Sequence, residues 1–184
     1  MDGIRGLSRG QIRMLVAKYL QDNPTPGTII GYTKLNNNNS STNASAAATT
    51  SYTTISSNHK VTFVARSSNV EINFRGYYAG LDGTDHNSLL YLALSTAATF
   101  STLNSKYERA VWEADEDDNM IIDVSWFLTG LTPSTEYTYW IGHKATAASD
   151  YLHQYGGSNT SYYPDCVIRA ISLPEDSSIH TDIS

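Results

Sequence analysis

Residues 120–144, MIIDVSWFLTGLTPSTEYTYWIGHK, decide the fold, because they predict two strands joined by a corner. Apolar residues alternate with polar ones along the first arm, and a half-buried strand requires this period of two. The apolar side of that arm carries Met120, Ile122, Val124, Trp126 and Leu128. In the second arm the alternating set is Tyr137, Tyr139 and Ile141. Between the arms, Gly130 and Pro133 favour a turn.

The rest of the chain has to cover this stretch, because a two-stranded ribbon alone is marginally stable in water. Strand-like runs continue from residue 52 to residue 173 with almost no helical periodicity. Residues 61–65 and 70–75, separated by the turn residues 66–69, favour a hairpin. Residues 88–95 are apolar on both faces, as in a central strand. The sequence therefore predicts a mainly β fold, an antiparallel two-sheet β-sandwich of jelly-roll-like type after a short N-terminal α-helix.

The N-terminal segment has the local signals of a helix start. Ser8 is an N-cap residue, Gln11 completes a capping box, and Leu7 with Ile12 can form a hydrophobic staple. One apolar stripe follows, which Pro24 ends. Two interpretations remain open: the helix packs on its own β domain, or it anchors the protein to a larger assembly. The residues expected to make the anchoring contact are Leu7, Ile12, Leu15, Val16, Tyr19 and Leu20.

Three regions follow from these patterns. Residues 1–27 are predicted to be a helical anchor with a stiff Pro/Gly spacer, 28–174 a β-sandwich domain, and 175–184 a polar tail. Within the domain, residues 36–51 contain four consecutive Asn and no large apolar residue. Such a run buries too little to offset the entropy of ordering it, so a flexible loop is expected there.

Composition narrows the function classes. The chain has 184 residues, only 16% of them charged, and a net charge of −6, which argues against binding nucleic acid through its phosphates. No window resembles a membrane span, and the first residues lack the apolar core of a signal peptide. We therefore expect synthesis in the cytoplasm without a leader. The single cysteine, Cys166, excludes an intrachain disulfide and is expected to be a buried, inert thiol.

The acidic run at 113–118 is the strongest charge cluster in the sequence. Asp115, Asp117 and Asn119 match the opening of a calcium loop, but Met120 replaces the required glycine. An EF-hand is therefore excluded, while a looser cation site and a charged hairpin tip both stay open.

No catalytic signature appears, so no enzymatic activity and no cofactor are expected. The histidines are scattered, none pairs with another at metal-ligand spacing, and each is expected at the surface or in a loop. They are His59, His86, His143, His153 and His180. Five carboxylates could meet in space for glycoside hydrolysis, although no spacing favours a pair. They are Glu71, Asp85, Glu108, Asp123 and Glu136.

A tyrosine-rich patch is the other candidate for recognition. Tyrosine offers rigid contact area with a polar tip, so the patch could bind sugar or protein, or pack at a subunit boundary. It consists of Tyr151, Tyr155, Tyr162 and Tyr163.

Several blocks of the sequence resemble a known class of protein. KVTFVARSSNVEINF (60–74), LLYLALSTAATFSTL (89–103), residues 108–144 and VIRAISLP (167–174) resemble the β-sandwich domains of structural proteins from tailed bacteriophages. SRGQIRMLVAKYLQD (8–22) is similar to the opening helix of some head-to-tail connector proteins, although their further helices do not follow here.

This resemblance implies a non-enzymatic component of a virion. It implies a protein fixed to the capsid, neck or tail by its N-terminal segment, with the sandwich forming a neck or tail fibre or a capsid decoration. The expected partners are copies of itself, as a homo-oligomer with a trimer among the expected forms, and other virion proteins. A host surface glycan is a further expected partner, and neither nucleic acid nor a membrane is expected.

The corner also has a likeness of its own. LTGLTPSTEYTYWI (128–141) is similar to a corner of fibronectin type III domains, in which a Leu, a Pro and a Tyr hold successive strands together. Leu131, Pro133 and Tyr137 stand in those places, although the chain has more strand candidates than that seven-stranded fold. Two functional alternatives remain from the sequence: a carbohydrate-binding module that uses the tyrosine patch, and a glycan-cleaving enzyme.

Overall fold

A computed structural model describes residues 8–22, 26–35, 44–80, 88–101, 103, 107–113, 119–155 and 164–175. This part of the chain contains one helix and eleven strands. The helix α1 spans Arg9–Asp22. The strands are β1 Ile29–Leu35, β2 Ala44–Ala47, β3 Thr53–Thr54, β4 Lys60–Val64, β5 Val70–Gly80, β6 Leu89–Ser95, β7 Glu108–Glu113, β8 Asn119–Leu128, β9 Glu136–Ala145, β10 Tyr151–Tyr155 and β11 Cys166–Ser172.

The strands form two antiparallel sheets, which confirms the predicted mainly β, two-sheet architecture. Sheet A has six strands in the order β1-β11-β5-β10-β2, with β8 also paired to β5. Sheet B has five strands in the order β3-β9-β6-β7, with β4 also paired to β9. The long strand β5 is central to sheet A, because it pairs with β8 along its length and with β10 and β11 in turn.

Strands β10 and β11 pair with the same edge of β5, one after the other, with a single gap between them. Gln154 of β10 lies opposite Tyr77, and Val167 of β11 lies opposite Arg75. Gly76 therefore lies between the residues of β5 that pair with β10 and those that pair with β11. Strands β1 and β2, which pair with β11 and β10, have a gap between them at the same position. Leu35 ends β1 opposite Cys166, and β2 begins opposite Tyr155.

The core lies between the inner faces of the two sheets, where alternate residues of strands such as β4 and β11 are buried. In β11 the alternation is complete along the strand, as a half-buried strand requires. Both sheets contribute large, fully buried side chains to this core. They include Phe74, Tyr78, Leu92, Trp126, Ile141, Tyr151 and Ile168.

The opening stretch joins the two sheets and does not form a ribbon. Its first arm is β8 in sheet A and its second is β9 in sheet B. Trp126 is buried as the alternation predicted, whereas Met120, at the strand's start, is exposed. At the corner the backbone N–H of Thr132 donates to the Tyr137 hydroxyl oxygen at 2.9 Å. Tyr137 on β9 is thus tied to the backbone of the corner.

The predicted hairpin of residues 61–75 is wrong. Strand β4 pairs with β9, whereas β5 pairs with β8, β10 and β11, so the two runs lie in different sheets. A period of two shows that a segment is a strand, but it does not specify which partner completes the ladder.

The expectation of a flexible loop over residues 36–51 is also wrong in part. Ala44–Ala47 forms β2, which pairs with Leu152–Tyr155 of β10, and Ala48 is buried. Residues 36–43 lie outside the described residues. Backbone hydrogen bonds to β10 hold this short edge strand, so it does not need large apolar side chains.

Helix α1 begins with the predicted capping box. The backbone N–H of Ser8 donates to Gln11 Oε1 at 2.9 Å, and the backbone N–H of Gln11 donates to Ser8 Oγ at 3.3 Å. Leu7 of the predicted staple lies outside the described residues. The described part of the chain has no helix that is long and apolar enough to span a membrane.

Candidate functional site

Three histidines lie in the core of the sandwich. His59, His143 and His153 are each at most 1% exposed, so the expectation of surface or loop positions is wrong for His143 and His153, which lie on strands. His59 lies in a turn, as expected, but its side chain is buried. His86 and His180 lie outside the described residues. His143 shares the inward face of β9 with Ile141, and the period of two along β9 could have revealed this.

His59 and His153 meet directly across the core. Their Nε2 atoms are 3.0 Å apart, although 94 positions separate the two residues in the chain. His153 lies on β10 in sheet A, and His59 closes the turn that enters β4 in sheet B. No short-range pattern could indicate this pair, because it is created by the packing of one sheet on the other.

The hydrogen bonds fix the proton positions of this pair. The Nδ1 atom of His153 is 3.0 Å from the Tyr77 carbonyl oxygen, which only accepts, so this nitrogen carries the proton. In the neutral ring, His153 Nε2 is then an acceptor, and His59 Nε2 donates to it. His59 Nδ1 in turn accepts from the Ser56 hydroxyl at 2.7 Å. Each polar atom of the two rings is therefore satisfied.

Cys166 completes the cluster at the first residue of β11. Its sulfur and one ring nitrogen of each of His59 and His153 all lie within 4.8 Å of one another. The thiol is buried, as predicted, and its burial raises the pKa of Cys166 to about 12. At neutral pH the cysteine is protonated in the metal-free chain. These three residues are called the His/Cys cluster below.

Gly76 makes room for the His/Cys cluster on the inner face of sheet A. A Cβ atom at this position would lie 2.5 Å from Phe74 Cζ and 2.9 Å from His153 Cε1. Both distances are shorter than the contacts of real Cβ atoms, so the site requires a glycine. The requirement arises at the interruption between β10 and β11, which brings Cys166 next to the histidine pair.

Aromatic rings enclose the histidines. The Tyr78 ring centroid lies 4.8 Å from that of His153, and Tyr155 lies 4.9 Å from His59. The Tyr78 hydroxyl is also 3.2 Å from His143 Nδ1, so the third histidine is joined to the same wall of rings. This enclosure excludes water from the pair.

Burial lowers the basicity of all three histidines. It lowers the pKa of His59 to about 3 and the pKa of His143 to about 4, and the pKa of His153 lies well below its ordinary value. The cause is the loss of solvation of the charged imidazolium, to which repulsion between the histidines adds for His59 and His153. The rings are neutral at pH 7 and keep lone pairs for a proton or a metal ion.

The predicted tyrosine patch is not a common surface. Tyr151 is fully buried and its hydroxyl donates to the Ser88 carbonyl oxygen, so its expected surface role is wrong. It is the first residue of β10 and faces the core, like His153 two residues later. Tyr155 is half-buried against His59, and Tyr162 and Tyr163 lie outside the described residues.

The remaining predicted sites lie in separate places. Asp115 and Asp117 lie outside the described residues, and for Asn119 the structure describes only the backbone, which begins β8. The carboxylates proposed for glycoside hydrolysis are divided between the sheets, with Glu71 and Asp123 on strands of sheet A and Glu108 and Glu136 on strands of sheet B. Asp85 lies outside the described residues.

Most of the predicted anchor residues form an exposed stripe on α1. Ile12, Leu15, Val16 and Tyr19 are 39% to 65% exposed. Leu7 lies outside the described residues, as does the side chain of Leu20.

The sequence was also compared with known proteins. No protein-family model matches the chain, and no curated protein matches it either.

Proposed function

We propose that the protein is a non-enzymatic structural component of a tailed-bacteriophage virion. Helix α1 attaches it to other virion proteins at the capsid, neck or tail, and the β-sandwich assembles with copies of itself as a fibre or decoration. The observation that carries this proposal is the exposed apolar stripe of α1. The resemblance of the sequence blocks to phage β-sandwich proteins is the reason for proposing a virion as the larger assembly.

The stripe gives α1 a surface for attachment. A helix of 14 residues is marginal by itself in water, and its stability comes mainly from packing its apolar face. Leu15 and Val16 are each more than half exposed, so the described part of the sandwich leaves much of their surface open to a partner. Burial of side chains of this size contributes about 1.5–3 kcal/mol each, which is enough to hold the helix on a partner.

Strand β8 gives the sandwich a surface for self-association. Within the described residues β8 pairs with β5 alone, so its other edge presents unpaired backbone groups. Met120, Ile121 and Phe127 on this strand are 41% to 54% exposed. A long apolar edge strand is a template for a further strand, and a second copy of the chain is the partner we propose.

Attachment is tested on particles that carry the full chain. The double substitution Leu15→Ser and Val16→Ser removes the centre of the stripe, and Met14→Ser removes an exposed apolar side chain about half a turn away, on the opposite face. We expect mass spectrometry of purified particles to find the chain with Met14→Ser but not with the double substitution. Equal incorporation of both variants, or absence of the unaltered chain from particles, contradicts the proposal.

Self-association is tested by sedimentation velocity over a range of protein concentrations. Phe127→Lys places a charge on the β8 edge, and Tyr32→Lys places the same charge on β1 at the opposite edge of sheet A. We expect the unaltered chain and Tyr32→Lys to form oligomers, and Phe127→Lys to be monomeric. A chain that stays monomeric without any substitution refutes self-assembly.

A further inference from the structure

We infer that His59, His153 and Cys166 form a binding site for one zinc ion inside the sandwich. This site is separate from the virion role proposed above and does not depend on it. Each of the three residues offers one ligand atom, and the three atoms lie within 4.8 Å of one another. Imidazole nitrogen and thiolate sulfur are the ligands that zinc prefers in proteins.

The distances are close to those of a zinc site. Bonds of about 2.0–2.1 Å to nitrogen and about 2.3 Å to sulfur place tetrahedral ligands about 3.4 Å (N to N) and about 3.6 Å (N to S) apart. The two Nε2 atoms are already 3.0 Å apart. The rings therefore need to separate by a few tenths of an ångström. The Cys166 sulfur lies within 4.8 Å of one ring nitrogen of each histidine, so it needs to approach that nitrogen by no more than about 1.2 Å.

The outer partners of both rings hold them in the orientation that an ion requires. A metal-binding histidine usually donates its other N–H to an oxygen, which fixes the ring. His153 Nδ1 makes this bond to the Tyr77 carbonyl, and His59 Nδ1 faces the Ser56 hydroxyl. Both Nε2 lone pairs can therefore point at one ion.

The proton balance of binding is simple. In the metal-free chain the His59 Nε2 proton bridges the two rings, and the Ser56 hydroxyl donates to His59 Nδ1. When zinc enters, the His59 proton moves from Nε2 to Nδ1, the Ser56 hydroxyl turns to accept it, and Cys166 loses its thiol proton. One proton is released for each ion bound, and the ion's charge compensates for the buried thiolate.

The site links elements that are far apart in the chain. His153 on β10 and Cys166 on β11 belong to sheet A, and His59 belongs to the turn before β4 of sheet B. The three residues would supply three of the ion's ligands. Because it would hold one sheet to the other, zinc would act as a structural ion that raises the thermal stability of the fold.

The test uses Co²⁺ as a spectroscopic probe for zinc. Because the ligands are buried, the full chain is unfolded in denaturant with a reductant that does not bind metal, and then refolded with Co²⁺ or Zn²⁺. We expect a sulfur-to-cobalt charge-transfer band that saturates at one equivalent of Co²⁺, and a higher melting temperature with Zn²⁺. The chain has one cysteine, so the band can only come from Cys166.

Two variants separate the His/Cys cluster from adventitious binding. Cys166→Ser should lose the band, whereas His143→Gln, which alters a buried histidine outside the cluster, should keep it. A refolded unaltered chain without the band, or with an unchanged melting temperature in Zn²⁺, overturns the inference and leaves a hydrogen-bonded pair. Both measurements are made on the unaltered chain, so they still test the inference if Cys166→Ser fails to fold.

Discussion

The absence of a side chain at Gly76 leaves the space that the Phe74 and His153 rings occupy. The inner face of sheet A has room for the His153 ring only because position 76 carries no Cβ. We expect Gly76→Ala to lower the free energy of unfolding by about 1–3 kcal/mol, the usual cost of overpacking a core. Urea unfolding checks this value, with Gly10→Ala as the control, because a Cβ there meets only Ser8 Oγ at 3.8 Å. Equal stability of the two variants would show that Phe74 and His153 can move aside.

The hydroxyl of Tyr137 is a second single group that stabilises the fold. Its hydroxyl accepts the Thr132 N–H at the corner between β8 and β9. We expect Tyr137→Phe to lower the free energy of unfolding by about 1 kcal/mol, since it removes one hydrogen bond at an exposed position. Tyr32→Phe, which alters an exposed tyrosine on β1, should have no effect. Denaturant unfolding of both variants measures the difference, and equal loss in both would exclude a special role for the corner.

Contacts between residues close together in the chain could be predicted from the sequence, and contacts between distant residues could not. Ser8 and Gln11 are three residues apart, and Tyr137 bonds five residues upstream, so chain connectivity alone brings these groups together. His59 and His153 form their contact only after two sheets have packed. Because 94 positions separate the two histidines, no sequence pattern indicates the candidate site.

Helix α1 is the element whose stability is most separate from the rest. Ser8→Ala removes the side-chain acceptor of the capping box, which typically costs about 1 kcal/mol of helix stability. Hydrogen exchange should therefore accelerate in α1 amides and stay unchanged in β5. The melting temperature of the sandwich should not change, because the stripe of α1 is exposed. A lower melting temperature would indicate that the helix packs on the sheets.

Strands were easier to predict than their partners. The alternation in residues 120–128 and 136–141 located β8 and β9, and their buried sides are the predicted ones at Trp126 and Ile141. The same period of two wrongly joined β4 to β5. Pairing depends on which edges meet after the chain has crossed between sheets, and this information is not local. The short strand β2 was missed because its alanines have no strong strand preference.

At the scale of the whole molecule, the buried histidines make stability depend on pH. The pKa of His59 is lowered to about 3 and that of His143 to about 4 in the folded chain, against about 6.5 when unfolded. Between these values the unfolded state binds more protons, so the folded state loses stability as the pH falls below about 6.5. Each buried histidine adds a slope that grows to about 1.4 kcal/mol per pH unit once the pH is about one unit below the unfolded pKa.

Denaturant unfolding of the metal-free chain at several pH values between about 7 and 5 measures this slope. His143→Gln should reduce the loss of stability between pH 7 and 5 by the contribution of one histidine, roughly 2 kcal/mol over that range. Stability that is independent of pH over this range would show that the histidines become hydrated without unfolding.

The two-sheet architecture could be predicted because composition and alternation act over the whole chain. The two candidate sites could be predicted less well, since the apolar stripe of α1 is visible as a sequence pattern and the His/Cys cluster is not. The structure therefore adds a polar centre to a core that the sequence predicts as apolar.

The pairing of β1 with β11 has a consequence for biosynthesis. Cys166 lies on the strand that follows all the other described strands, so His59 leaves the ribosome well before Cys166 does, and His153 leaves it about a second before. Until β11 docks beside β1 and β5, the nascent chain leaves the pair open to water and to the ions of the cell. Translation thus sets a short interval in which the proposed zinc site is open, and docking of β11 ends it.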